Sequence, residues 1–155
     1  MNSWENEVVP LTLKGQIAVP YTWWVGETGS RFLLALRDEG KILGNQCHRC
    51  GCTYVPPRKN CGRCFGTIED WIELGKEGVV TSYTIIRYPF QLQPAVPPFA
   101  YAIIRLDGAD VGLVHIIKND LDKIHNGVRV RARFKEISSR KGDMMDIDCF
   151  EIQVQ

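Results

Sequence analysis

Four cysteines in two matching spacings restrict this chain more than any other feature. Cys47 and Cys50 are two residues apart, Cys61 and Cys64 likewise, and ten residues lie between the pairs. A C-x2-C unit sits on a tight turn and aims both sulfurs at one point. Two such turns facing each other supply a tetrahedral shell of four thiolates, closed to water and therefore structural rather than catalytic. Gly51 after the first pair suits a turn residue of positive φ, and Phe65 stands where the second turn would take a glycine. Zinc is the expected metal. Iron in a rubredoxin-like shell takes the same donors, and counting sulfurs does not separate the two. A thioredoxin-like pair would open a helix after a strand, which this stretch does not offer.

The remaining thiols and imidazoles read more plainly. Cys52 is a spare thiol, expected to pack as a small side chain, and Cys149 lies in a strand-like run as a buried small hydrophobe. His48 stands between two ligands, but four thiolates already fill the shell. His115 is expected to be packed or solvent-tipped, and His125 to sit at a helix end where a cation suits the dipole.

The chain is 155 residues with a formal charge of +1, so nucleic-acid binding would need a local basic patch rather than bulk charge. The opening "MNSWENEVVPLTLKG" has no cationic n-region or apolar h-region, so no secretory leader is expected there. No apolar run approaches the roughly 20 residues that span a bilayer. A cytoplasmic location is expected, where clustered cysteines more often hold metal than form disulfides.

Around the cysteines the periodicity changes. "GSRFLLALRDEGK" reads as an amphipathic helix, with Ser30 as N-cap, Phe32, Leu33 and Leu36 inward and Gly40 as the stop. Beyond the cysteines, alternation of period two marks "DWIEL", "GVVTSYTIIRY", "FAYAIIRL", "VGLVHII", "VRVRARFKEI" and "MMDIDCFEIQV" as strands. Asp107-Gly108 turns a hairpin, and "YPFQLQPAVPPF" is a long loop. "KNDLDKIHNG" suits a short helix capped by Asn119 or Asp120, with Leu121 and Ile124 inward and Gly127 at its stop. Three strands, a short helix and two strands is the order of an OB barrel. The expected fold is therefore mainly β: an N-terminal helical segment over 1–45, a rubredoxin-like zinc ribbon over 46–70 and an OB-fold domain over 71–155.

With these pieces placed, the chain resembles the acyl-CoA-associated zinc-ribbon/OB-fold family, long catalogued as domain of unknown function number thirty-five. "FLLALRDEGKILGNQCHRCG", "PPRKNCGRC", "GVVTSYTIIRY", "PPFAYAIIRLDGADVGLVHII" and "IHNGVRVRARFKEI" carry the likeness, in family order. Gly62 departs from the family, where many members have proline after the cysteine, and leaves the ligands intact. The resemblance implies a non-catalytic accessory subunit of a thiolase-like or related acyl-CoA carbon–carbon bond enzyme. The ribbon and helix would serve docking, and the barrel would receive acyl-CoA.

Two groups of residues are candidates for those contacts. Arg129, Arg131, Arg133 and Lys135 alternate onto one face of a strand. They suit the phosphates of CoA, a nucleic-acid backbone, or a solvated face paired to Asp143, Asp146 and Asp148. Arg58 and Lys59 add cations in the ribbon loop. Trp23 and Trp24 are adjacent; packing of both within the chain is the plainer reading and partner docking the sharper one. Base stacking would draw on Tyr83, Tyr88, Phe90 and Tyr101, of which Tyr83 and Tyr101 read as barrel packing. A zinc-ribbon/OB-fold nucleic-acid-binding protein is the alternative function. No G-x-S-x-G, phosphate-binding loop or dinucleotide fingerprint marks an independent enzyme.

Overall fold

A computed structural model describes residues 21–89, 91 and 93–153. The first 20 residues of the expected helical segment, and Phe90, lie outside that range. Helix α1 (Gly26–Leu34) opens after Val25 with no side-chain cap. Ser30 lies inside it, its hydroxyl donating back to the Gly26 carbonyl at 2.7 Å, so the expected start at Ser30 is one turn too late. A serine hydroxyl bonds the preceding turn as readily as it caps a helix, and sequence alone does not separate the two. The helix widens into a π-turn over Ala35–Glu39 and stops at Gly40, whose φ of 63° only glycine adopts freely. Phe32, Ala35 and Leu36 are buried along one face.

Three short strands follow. β1 (Ile42–Gln46) pairs antiparallel with β2 (Thr53–Tyr54) on one side and β3 (Asp70–Leu74) on the other. The ribbon's sheet thus runs from residue 42 to 74, and its two turns carry the cysteines. Five more strands make a closed barrel: β4 (Glu77–Ile86), β5 (Phe99–Leu106), β6 (Leu113–Ile117), β7 (Arg129–Phe134) and β8 (Ile147–Ile152). Their order around the barrel is β4-β5-β6-β8-β7, with β7 returning to β4 and β6 beside β8 in parallel. That is the expected OB arrangement. Gly78 allows the close approach of β4 to β5, because a Cβ there would run into the Arg105 carbonyl oxygen.

The expected helix over 118–127 is absent. The segment makes turns, with Asp120 at a φ of 47° and the Lys123 N–H bonded to the Asp120 carbonyl. Ile124 is buried as expected, but two apolar residues supply too little buried surface to hold a helix so short.

One apolar core runs through the molecule. Phe32 and Leu36 of the helix, Ile42, Val55 and Leu74 of the ribbon, and barrel residues including Ile104, Ile117, Val130 and Phe150 form a single cluster. A smaller cluster surrounds the thiols. A third lies outside the barrel wall, where Phe99, Ile116 and Cys149 pack together with Ala95 of the proline-rich loop against them.

Candidate metal centre

The two cysteine turns are built alike. The Cys47 N–H donates to the Cys52 carbonyl and the Gly51 N–H to the Cys47 carbonyl; in the second, Cys61 N–H donates to Gly66 and Phe65 N–H to Cys61. Gly51 has φ 71° and Phe65 has φ 59°, so both turns need the same left-handed residue. The β1–β2 hairpin positions the first turn, and a bridge between Asn60 and Thr67 closes the base of the second.

All four sulfurs lie within 4.8 Å of one another, and none forms a disulfide. Cys47 faces Cys64 at 3.4 Å and Cys50 faces Cys61 at 3.5 Å. A tetrahedral zinc with bonds of about 2.3 Å sets its sulfurs about 3.8 Å apart, so the cluster fits such an ion with small adjustments. The donor set is soft, and Cys47 and Cys61 are buried, which favours a closed structural site.

The surroundings favour thiolate. The Tyr54 hydroxyl accepts the Gly62 N–H at 3.1 Å, which leaves its own proton free for Cys61 at 3.3 Å. That bond holds the Cys61 thiol down to about 5, with the backbone N–H groups of Cys64 and Arg63 adding to it. The same bond raises the Tyr54 hydroxyl above its ordinary value. Buried Asn45 closes the ribbon loop, donating to the Arg58 carbonyl and accepting the Arg58 N–H. Tyr54 and Asn45 did not stand out in the sequence; the available signal was a tyrosine four residues past Cys50, too local to read as a sulfur partner.

Cys52 packs against the thiol cluster without joining the four sulfurs, and His48 is exposed. Cys149 is buried in the third cluster, where loss of solvent pushes its thiol up. His115 lies inside the barrel beside Phe150 with its Nε2 donating to the Met144 carbonyl at 3.1 Å, and burial pushes its pKa down. Among the described residues its Nδ1 has no hydrogen-bond partner. His125 is exposed, bonded to the Asn126 carbonyl, and no helix end lies near it.

Arg129, Arg131 and Arg133 lie on β7 and are paired, whereas Lys135 falls past the strand's end, beyond a bulge at Arg133–Phe134 that breaks the expected alternation. Arg129 bonds both oxygens of Asp107 at 2.7 Å and reaches Glu77 at 3.2 Å. Arg131 lies 3.6 Å from Glu77, and Arg133 contacts Asp148 at 2.7 Å and Glu151 at 2.8 Å. Lys135 takes part in no ion pair among the described residues. Of the acids expected opposite, only Asp148 pairs with this face. Asp146 is buried and accepts the N–H groups of Lys141 and Gly142 at 2.7 Å. Trp23 and Trp24 are 67% and 76% exposed, so neither packs against the described residues. Tyr21 beside them is exposed as well.

Comparison with known proteins agrees with this architecture. The family model described as the ChsH2 rubredoxin-like zinc ribbon domain matches residues 35–69, and the ChsH2 C-terminal OB-fold domain matches residues 71–135. The two adjoin in the order of the fold. The chain thus carries both ChsH2-type domains, ribbon then OB-fold. Two curated relatives are each called a DUF35 domain-containing scaffold protein. The one from Methanocaldococcus jannaschii is 26% identical over 109 residues, covering 70% of this chain and 77% of its own. The one from Methanothermobacter thermautotrophicus is 26% identical over 104 residues, covering 66% and 77%. Among solved structures, a DUF35 protein of unknown function from Sulfolobus solfataricus superposes with a TM-score of 0.61 at 26% identity, over 84% of this chain and 85% of its own. A chain from a structure titled Ltp2-ChsH2(DUF35) aldolase gives 0.62 at 22% identity, over 84% and 98%, and shows likeness of fold. Among the described residues, no helix is long and apolar enough to cross a membrane.

Proposed function

We propose that this chain is a non-catalytic accessory subunit that docks on a thiolase-like or related acyl-CoA enzyme and helps hold its thioester. The observation that carries the reading is the exposed pair Trp23 and Trp24 at the entrance to α1, apolar surface that the described residues leave uncovered. The relatives' name, scaffold protein, and the aldolase assembly in which a DUF35 chain occurs support the same reading. In it, Cys47, Cys50, Cys61 and Cys64 hold a structural zinc that fixes the ribbon's shape. Four thiolates leave the ion no open position, so its chemistry is confined to cross-linking.

Acyl-CoA is the proposed ligand of the barrel. A phosphate reaching Arg129 or Arg133 competes with carboxylates already bonded there, whereas Lys135 has no ion pair among the described residues and Arg131 is only loosely paired. The test mixes the purified chain with the purified thiolase-type enzyme of the same genome, with and without an acyl-CoA, and reads complex formation by gel filtration. Co-elution that survives nuclease, and that weakens when Trp23 and Trp24 become alanine, is the expected result. Binding to an oligonucleotide that falls steeply with salt, with no enzyme complex, would instead establish a nucleic-acid-binding protein.

A further inference from the structure

Phe65 combines two features that work against the free protein. Its φ of 59° lies in the left-handed region that a residue with a Cβ adopts only under strain, and its ring is 83% exposed. The matching residue of the first cysteine turn, Gly51, meets the same backbone demand without a side chain. A glycine would therefore serve the second turn equally well. What phenylalanine adds is an aromatic ring projecting from the ribbon's tip.

The surface around that ring is cationic. Residues 40–68 contain no aspartate or glutamate, while Arg49, Arg58, Lys59 and Arg63 are all exposed. Arg58 stacks on the Tyr54 ring. Among the described residues none of the four forms an ion pair. Arg49 reaches from the first turn across the second, since a Cβ on Gly66 would lie 3.2 Å from its Cδ. Arg63 lies two residues before Phe65. The metal centre does not consume these guanidinium groups: the donors to its sulfurs, other than thiols, are the Tyr54 hydroxyl and backbone N–H groups. A divalent ion with four thiolates carries two negative charges, so the four cations leave the tip positive.

We propose that the tip docks on an acidic protein surface, with Phe65 entering an apolar pocket and Arg49 and Arg63 meeting carboxylates on its rim. The inference rests on the accessory-subunit reading for the class of partner, a thiolase-type acyl-CoA enzyme. A single projecting aromatic between free cations suits one pocket with a charged rim. A nucleic-acid strand calls for several stacked rings in succession, whereas the ribbon's other aromatics are taken up: Tyr54 is buried against the thiols and Trp71 lies under Arg31.

Phe65→Gly makes a clean test, because it removes the ring while relieving the backbone. The full-length zinc-loaded chain is titrated against the purified enzyme, with metal content and thermal midpoint recorded for each variant. Phe65→Gly should keep its metal, melt no lower than the parent and bind roughly 30-fold more weakly. Arg49→Glu with Arg63→Glu should slow association and flatten its dependence on salt. Unchanged enzyme binding by Phe65→Gly would overturn the inference and leave the accessory reading standing. No binding by the parent chain would remove both. Tight binding of a 20-nucleotide single strand that is lost with Phe65 would overturn the acidic-protein partner in favour of nucleic acid.

Discussion

The barrel and the ribbon tip are both made of short strands and turns, yet they are held together by different means. The barrel closes around Ile104, Ile117, Val130 and Phe150, side chains that bury apolar area wherever water is the solvent. The tip buries little besides Cys47, Tyr54, Cys61 and Ile68, and its turns are shaped to bring sulfurs together. A fold of the first kind degrades gradually as atoms are removed from its core. One of the second kind depends on a single ion, so its loss is abrupt.

Removing the metal breaks that comparison most sharply. Cys61→Ser, or a strong chelator, should abolish stoichiometric zinc and lose amide-exchange protection in residues 47–68, while β4–β8 stay protected. Exchange mass spectrometry reads both regions in one experiment. The converse is Phe150→Ala, which should lower stability by about 3–5 kcal/mol in denaturant titration yet leave the zinc content near one per chain.

A smaller effect comes from His115. Its folded pKa lies below its unfolded value, so the stability it supports is present above about pH 6.5 and declines as acid protonates the unfolded chain first. The slope should reach at most about 1.4 kcal/mol per pH unit, and His115→Gln should flatten it without altering metal content. The smallest change raises stability: Phe65→Gly should gain about 1 kcal/mol by relieving the left-handed strain, whereas Gly51→Ala should lose a similar amount. A zinc-loaded chain melted in parallel with these two variants shows whether the cysteine turns are as alike as their hydrogen bonds indicate.

Much of this molecule is legible in the sequence because its signals are local. Two C-x2-C spacings bring four sulfurs together, alternation places the barrel strands, and Phe65 already marks itself as the residue standing in a glycine's position. The failures involve groups whose partners are distant or whose geometry has two solutions. Ser30 could cap a helix or bond the turn before it, and it does the latter. The segment from 118 to 127 carries helix-like spacing over too few residues to outweigh its turns. Arg129 finds Asp107 and Glu77, 22 and 52 residues away, only because strand register brings them together. Asp146, counted among its neighbours as a surface acid, is folded inward to bind backbone.

One further long-range contact joins the two halves. Asp110, in the loop after β5, accepts the Thr53 N–H on its carboxylate at 2.8 Å and donates its own N–H to the Thr53 carbonyl. This latch ties the ribbon's hairpin to the barrel rim, beside a core that is already continuous between them. The molecule therefore behaves as a bracket with a stiff elbow. Whatever grips the tip also fixes the distance and heading of the barrel mouth.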